Sequence, residues 1–300
     1  MENSYLPIDT QTIRGGTGRS FDLFFQTREG KFVLYCAGGE AVGDDIRKKI
    51  TEYNIDKFYI KKIDKINYDL YIQENLINIL KDPDISDSDK AKSAYNTVIT
   101  AAQSLFESPG KEIIQGYKKV IFNTLKFVFK DESNLQKLIG LTNLDFSNYN
   151  HSINVGIYSL GLSKKLISNE FSHDLKQMAA GFFLHDIGKS EIPSVILNKK
   201  GPLSHVQWEI MKKHPEKGYK ILEKSGEMSE EIEIIVMQHH ERHDGNGYPR
   251  GLKDDQIHMY AKICSIADVF DALTSYRKFK NNHSTFNALK IIKEEMNKNF

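Results

Sequence analysis

The hydrophobic period of this chain changes part-way along, and that change limits it to two architectures in series. In roughly the first 80 residues the apolar runs are short and broken by turn residues. Tyr5 to Ile8, Phe21 to Gln26, Lys31 to Ala37 and Asp56 to Lys62 read as strands. Gly15-Gly16-Thr17-Gly18, Arg28-Glu29-Gly30 and Gly38-Gly39 separate them. Two helical patterns are interleaved, Asp44 to Tyr53 and Tyr68 to Leu80. From Asn134 onward only the helical period is found. Helices are predicted over Asn134 to Leu141, His151 to Ser168, His173 to Leu184, His205 to Lys224, Ser229 to His240, Ile257 to Tyr276 and Thr285 to Asn297. The fold class is therefore a small α+β domain followed by an all-α helical bundle.

Pro83 and the polar run Ser86 to Lys90 mark the boundary. Residues 1–84 are expected to form the α+β domain, with a regulatory or dimerising role; 85–135 a helical connector; and 136–300 the bundle. The connector reads as two helices broken at Ser108-Pro109-Gly110. Its apolar stripes suit either simple packing or a signalling and dimerising role, and it has no sustained heptads. The last helical pattern reaches almost to Phe300 without a cap, which leaves open a continuation beyond it.

A formal net charge of +1 offers no global field toward nucleic-acid polymers or anionic membranes. An anionic ligand must be met by local cations. The most apolar windows, such as Val120 to Phe129, are too short to span a bilayer, so a cytoplasmic chain without a membrane span is expected. The two cysteines, Cys36 and Cys264, form no CxxC pair and suit a reducing compartment.

All ten histidines lie between His151 and His283. Imidazole is the commonest metal ligand and a frequent acid–base group, so any chemistry belongs to the second half. His185-Asp186-Ile187-Gly188-Lys189 follows an apolar helix that Gly188 is expected to stop. At a helix end, adjacent His and Asp side chains can converge, and imidazole with carboxylate suits a borderline or hard divalent ion. By itself the pair is a weak signal. His151 opens a helix, His214 stands at a helix break, and the adjacent His239 and His240 end another. Asp268, flanked by Ala267, Val269 and Phe270, is costly to bury unless it pairs or binds metal. Each taken singly suits a structural role; together in one helical domain they suggest a site.

The segment His239-His240-Glu241-Arg242-His243-Asp244-Gly245-Asn246-Gly247-Tyr248-Pro249 resembles the signature of the HD-GYP family of HD-domain metal phosphohydrolases. The HD pair at 185–186, the stretch Ile192 to Leu197, Lys200-Gly201-Pro202-Leu203, His214-Pro215 to Gly218, and Asp268 to Ser275 are similar to its remaining motifs. The resemblance covers about residues 140–300. It implies an HD-type helical bundle with a di- or trinuclear centre of iron or manganese that hydrolyses cyclic di-GMP to pGpG or onward to GMP. By position it implies that His151, His185, Asp186 and Asp268 hold one metal, and that Asp186 bridges to a second held by His214, His239 and His240. Such a pair can share the attacking hydroxide.

The resemblance also implies that Lys189 meets the scissile phosphate and that Arg277 and Lys280 hold phosphate or guanine groups. A helix-terminal lysine and solvated surface cations are the plainer alternatives. Tyr248 stacks or packs, and the GYP loop shapes the site and offers a surface to a signalling partner. Two positions depart from the family pattern. Where a third metal takes a Glu, this chain has Ser147, so two metals are expected. Where Arg-Pro-Tyr is usual, it has Arg277-Lys278-Phe279, which opens the choice between cyclic di-GMP and cyclic GMP–AMP. A non-catalytic dinucleotide receptor or adaptor is the alternative from another class.

Overall fold

The computed structural model describes residues 4–27, 29–43, 46–53, 55, 57–142, 148–167, 174–275 and 283–295. The chain divides into two compact units, residues 1–97 and 98–300, so the helical segment at 85–135 is shared between them.

In the first unit, β1 (Tyr5–Asp9), β2 (Leu23–Gln26), β3 (Phe32–Cys36), α1 (Ile46–Glu52), β4 (Lys57–Lys61) and α2 (Lys65–Lys81) follow in order. The strands form one sheet in the order β1-β4-β2-β3, and the pairs are antiparallel. Strand β4 has the alternation that half-burial demands: Phe58 and Ile60 are fully buried, while Lys57 and Lys61 are exposed. Phe58 and Ile60 meet Ile8, Phe21, Leu23, Ile46 and Tyr71 in one core. Arg19 is buried beside the turn after β3 and donates to the carbonyls of Cys36, Ala37 and Glu40. Those bonds satisfy its two terminal nitrogens, where burial would otherwise be costly.

Helix α3 (Asp87–Glu107) runs through the division between the units. The second unit continues with α4 (Lys111–Lys130), α5 (Glu132–Leu141), α6 (Asn148–Leu166), α7 (Leu175–Leu184), the single turn α8 (Ser194–Leu197), α9 (His205–Met211), α10 (His214–Ser225), α11 (Glu230–Gln238), α12 (Met259–Thr274) and α13 (Thr285–Glu295). The α+β and all-α classes expected from the periodicity are thus both present. Helix α7 is the centre of the bundle: Met178 to Leu184 are all buried, against α6 on one side and α11 on the other. Helix α12 packs on α6 and α11.

The helix expected over His205 to Lys224 is two helices. Ser204 and Gln207 close a capping box that starts α9. Pro215 in the first turn of α10 lacks the N–H that a continuous helix would use, so the chain breaks and restarts at His214. No helix among the described residues is long and apolar enough to cross a membrane.

Candidate metal centre

Four helix ends of the second unit and the middle of α12 meet at one point. His151 lies in the first turn of α6, and His185 and Asp186 follow the end of α7. His214 starts α10, His239 and His240 follow α11, and Asp268 lies on α12. Their donor atoms fall into two groups, each within 4.8 Å: Asp186, His214, His239 and His240, and His151, His185 and Asp268. Asp186 faces both. Its Oδ1 lies 3.2 Å from His214 Nε2 and 3.8 Å from His239 Nε2. Its Oδ2 lies 3.4 Å from His185 Nε2 and 3.7 Å from His151 Nε2.

The backbone sets the tautomers. His185 Nδ1 donates to the Phe182 carbonyl at 2.8 Å, and His214 Nδ1 to the Met211 carbonyl at 3.0 Å. His239 Nδ1 donates to the carbonyls of Ile235 and Val236, at 3.1 and 3.0 Å. Each histidine stands at a helix end or turn, where the last carbonyls can accept from a side chain; the Ile235 carbonyl also accepts from the His239 amide. With the proton on Nδ1, each Nε2 lone pair points to the centre, and this arrangement orients metal-ligating imidazoles in general. His214 Nε2 and His239 Nε2 face each other at 3.2 Å. Burial holds both rings well below the ordinary imidazole pKa, which favours the neutral form, and two facing lone pairs suit a cation or a donating water between them.

His185 Nε2 and Asp186 Oδ1 are buried without a hydrogen-bond partner. Such atoms are costly unless an ion or water satisfies them. The mixed imidazole and carboxylate set is compatible with a divalent metal.

The remaining charges follow from the same burial. For His240, burial pushes the imidazole down to about 4. For His151, burial opposes protonation, but hydrogen bonds to Asp268 and Asp271 outweigh it and raise the ring to about 9. For Asp186, burial opposes ionisation, yet Lys189 and the surrounding histidines hold the carboxyl well below its usual range. Lys189 Nζ lies 2.5 Å from Asp186 Oδ2, one short turn further on.

Gly188 has a role other than helix termination. Its φ is not in the left-handed region. A Cβ there would come within 1.9 Å of the His214 carbonyl oxygen and 2.5 Å of the Gly218 amide nitrogen. The missing side chain lets the HD turn touch the start of α10, and so brings His214 to Asp186.

Two buried acids are absent from the sequence expectations. Asp271 Oδ2 accepts from His151 Nδ1 at 2.7 Å, and its Oδ1 accepts from Asn154 Nδ2 and Ser275 Oγ, each at 2.9 Å. Its spacing of three from Asp268 puts both acids on one helix face, which is the signal that finds it. Glu241 is also buried, and accepts from the amides of Arg250 and Leu252 at 2.6 and 2.9 Å. These bonds hold the GYP loop against the centre. In that loop Gly245 has φ +79°, and the Tyr248–Pro249 peptide is cis. Tyr248 stacks on His240 with ring centroids 4.7 Å apart. Arg277, Lys280, Ser147, Lys278 and Phe279 lie outside the described residues.

The HD domain family matches residues 135–300. The chain belongs to this family, and its HD and GYP motifs put it in the HD-GYP branch. A cyclic di-GMP phosphodiesterase of Pseudomonas aeruginosa is 33% identical over 168 residues, 56% of this chain and 40% of that protein. A 3'3'-cGAMP-specific phosphodiesterase of Vibrio cholerae is 46% identical over 99 residues, 33% of this chain and 19% of that protein. The chain thus spans less than half the length of either relative. The solved structure of Bd1817, an HDG"Y"P protein from Bdellovibrio bacteriovorus, has a TM-score of 0.64 at 21% identity, covering 98% of this chain and 95% of that one. At that identity the likeness is one of fold.

Proposed function

We propose that the chain is a metal-dependent phosphodiesterase that opens cyclic di-GMP to pGpG or onward to GMP. The observation that carries this reading is Asp186, buried, with one carboxylate oxygen toward His214 and His239 and the other toward His185 and His151. A carboxylate so placed can bridge two ions. His151, His185, Asp186 and Asp268 would hold one, and Asp186, His214, His239 and His240 the other. Iron or manganese suits this donor set, and Ser147 at the position of a further ligand favours two ions. When bound, such a pair supplies a water acidified toward neutral pH and Lewis-acid stabilisation of phosphoryl oxygens.

The chain's own groups do the rest. Lys189 brings an ammonium to the Asp186 carboxylate, where it would offset charge developing on the scissile phosphate. Arg277 and Lys280 are suited to the second phosphate or a guanine edge. Tyr248 shapes the wall of the cleft above His240. A chain of net charge +1 needs such local cations for a dianionic ligand. A cytoplasmic location, dimerisation through the segment 85–135, a regulatory role for the α+β domain, and a signalling partner at the GYP loop belong to the same reading.

Likeness to the Vibrio protein over 99 residues favours a second reading, in which the same centre acts on cyclic GMP–AMP. A side-by-side panel of cyclic di-GMP, 3'3'-cyclic GMP–AMP and a nucleotide monoester, on protein loaded anaerobically with Fe(II) or Mn(II), decides between them. Fastest turnover is expected on cyclic di-GMP. Faster opening of the mixed dinucleotide would replace the substrate. Tight binding with no turnover under either metal would make the chain a receptor.

A further inference from the structure

Beyond His240 and Asp268 a cleft of about 290 Å³ continues to Trp208 and Lys212. Trp208 is the sole tryptophan of the chain, and 42% of its surface is exposed. It stands on the seven-residue α9, where an open indole adds little to the core. Its ring meets Tyr248 edge-to-face at 6.0 Å, and Tyr248 in turn is stacked on His240 at 4.7 Å. An aromatic corner therefore leads from the metal-ligand set to an accessible indole. Two cations share the cleft wall: Lys212, which pairs with Glu209 at 2.8 Å, and Arg242.

An exposed aromatic surface beside a phosphate-processing centre, flanked by cations, has the chemistry of a nucleobase subsite. Every base offers a π-face to an aromatic ring, and purines offer the most area. We propose that Trp208 is the platform on which one purine base of the substrate stacks while the scissile phosphate lies at the Asp186–Asp268 centre. Trp208 is then a specificity-determining residue, favouring purine over pyrimidine cyclic dinucleotides. This inference rests on the cyclic dinucleotide reading above.

The emission of the sole tryptophan reports this subsite alone. The full chain, loaded with Mn(II), is titrated with a phosphorothioate analogue of cyclic di-GMP while binding is followed in parallel by calorimetry. Tryptophan emission should change along the calorimetric isotherm, and ribose 5-phosphate should leave it unchanged. Calorimetric binding without a change in emission would overturn the Trp208 platform and leave the phosphodiesterase reading standing. No binding at all would overturn both. In kinetics, Trp208→Ala should lower kcat/KM for cyclic di-GMP about tenfold relative to that for methyl p-nitrophenyl phosphate, through KM, since stacking on one aromatic ring contributes on this scale. Trp208→Phe should recover most of the loss. An equal fall on both substrates, in kcat, would mark mere support of Tyr248 and contradict the proposal. If the alanine variant does not fold, the emission titration decides.

Discussion

His151 donates from Nδ1 to Asp271 Oδ2 at 2.7 Å, while its Nε2 lies 2.9 Å from Asp268 Oδ1. One ring thus joins two acids of the same helix, three residues apart. Asp271 orients the imidazole, and Asp268 stands beside it in the proposed ligand set. Asp271→Asn removes the charge that holds the ring. A loss of about 10- to 100-fold in metal affinity is expected, the usual effect of deleting an outer-shell partner. Competition against a calibrated chelator measures it; unchanged affinity would mean that packing alone orients His151.

The same pair of acids gives the chelator-treated protein a pH signature. His151 is raised to about 9 in the folded chain, because hydrogen bonds to Asp268 and Asp271 outweigh the effect of burial. An unfolded histidine titrates near 6.5. Below that value both states carry the proton, and the full stabilisation is present. Above it the unfolded chain loses its proton first, so this stabilisation is lost progressively up to about pH 9. Thermal denaturation in chelator should show a Tm that falls across this window, and Asp271→Asn should flatten the slope. A wild-type Tm constant from pH 6.5 to 9 would contradict the assignment.

Glu241 fastens the GYP loop through two backbone amides, those of Arg250 and Leu252. Glu241→Ala leaves both without their acceptor. A loss of roughly 1–3 kcal/mol is expected, read by urea denaturation. Faster proteolysis between Asp244 and Leu252 should accompany it, because the side chain holds the loop closed. A variant as stable and as resistant as the parent would show that the loop is held elsewhere.

Much of this arrangement was legible in the sequence because it depends on helix ends. The switch of period separates a sheet of short strands from a bundle, as observed. His151, His185, Asp186, His214, His239 and His240 stand at or near element ends in the pattern, Asp268 is an acid inside an apolar helix, and the structure brings their donor atoms into two adjacent groups. The helix break read at His214, marked by Pro215, is present, although the bounds His205 to Lys224 run across it. Long-range contacts were not legible. The carbonyls that set the imidazole tautomers carry no side-chain signal. Gly188 reads as a helix stop until its distance to His214 is seen. Glu241 stands in the GYP signature with nothing in the sequence to mark its two amide contacts. Trp208, some forty residues before Tyr248, meets it only through the packing of the bundle.

On the proposed reading Asp186 would serve both ions of one hydrolytic centre. Turnover of cyclic di-GMP by wild type and Asp186→Ala, each loaded anaerobically with Fe(II) or Mn(II) and followed by chromatography of the linear product, tests it most directly. Wild type should open the ring, and the variant should produce no linear dinucleotide above the protein-free rate. Retained turnover in a folded Asp186→Ala protein would exclude Asp186 as the shared ligand.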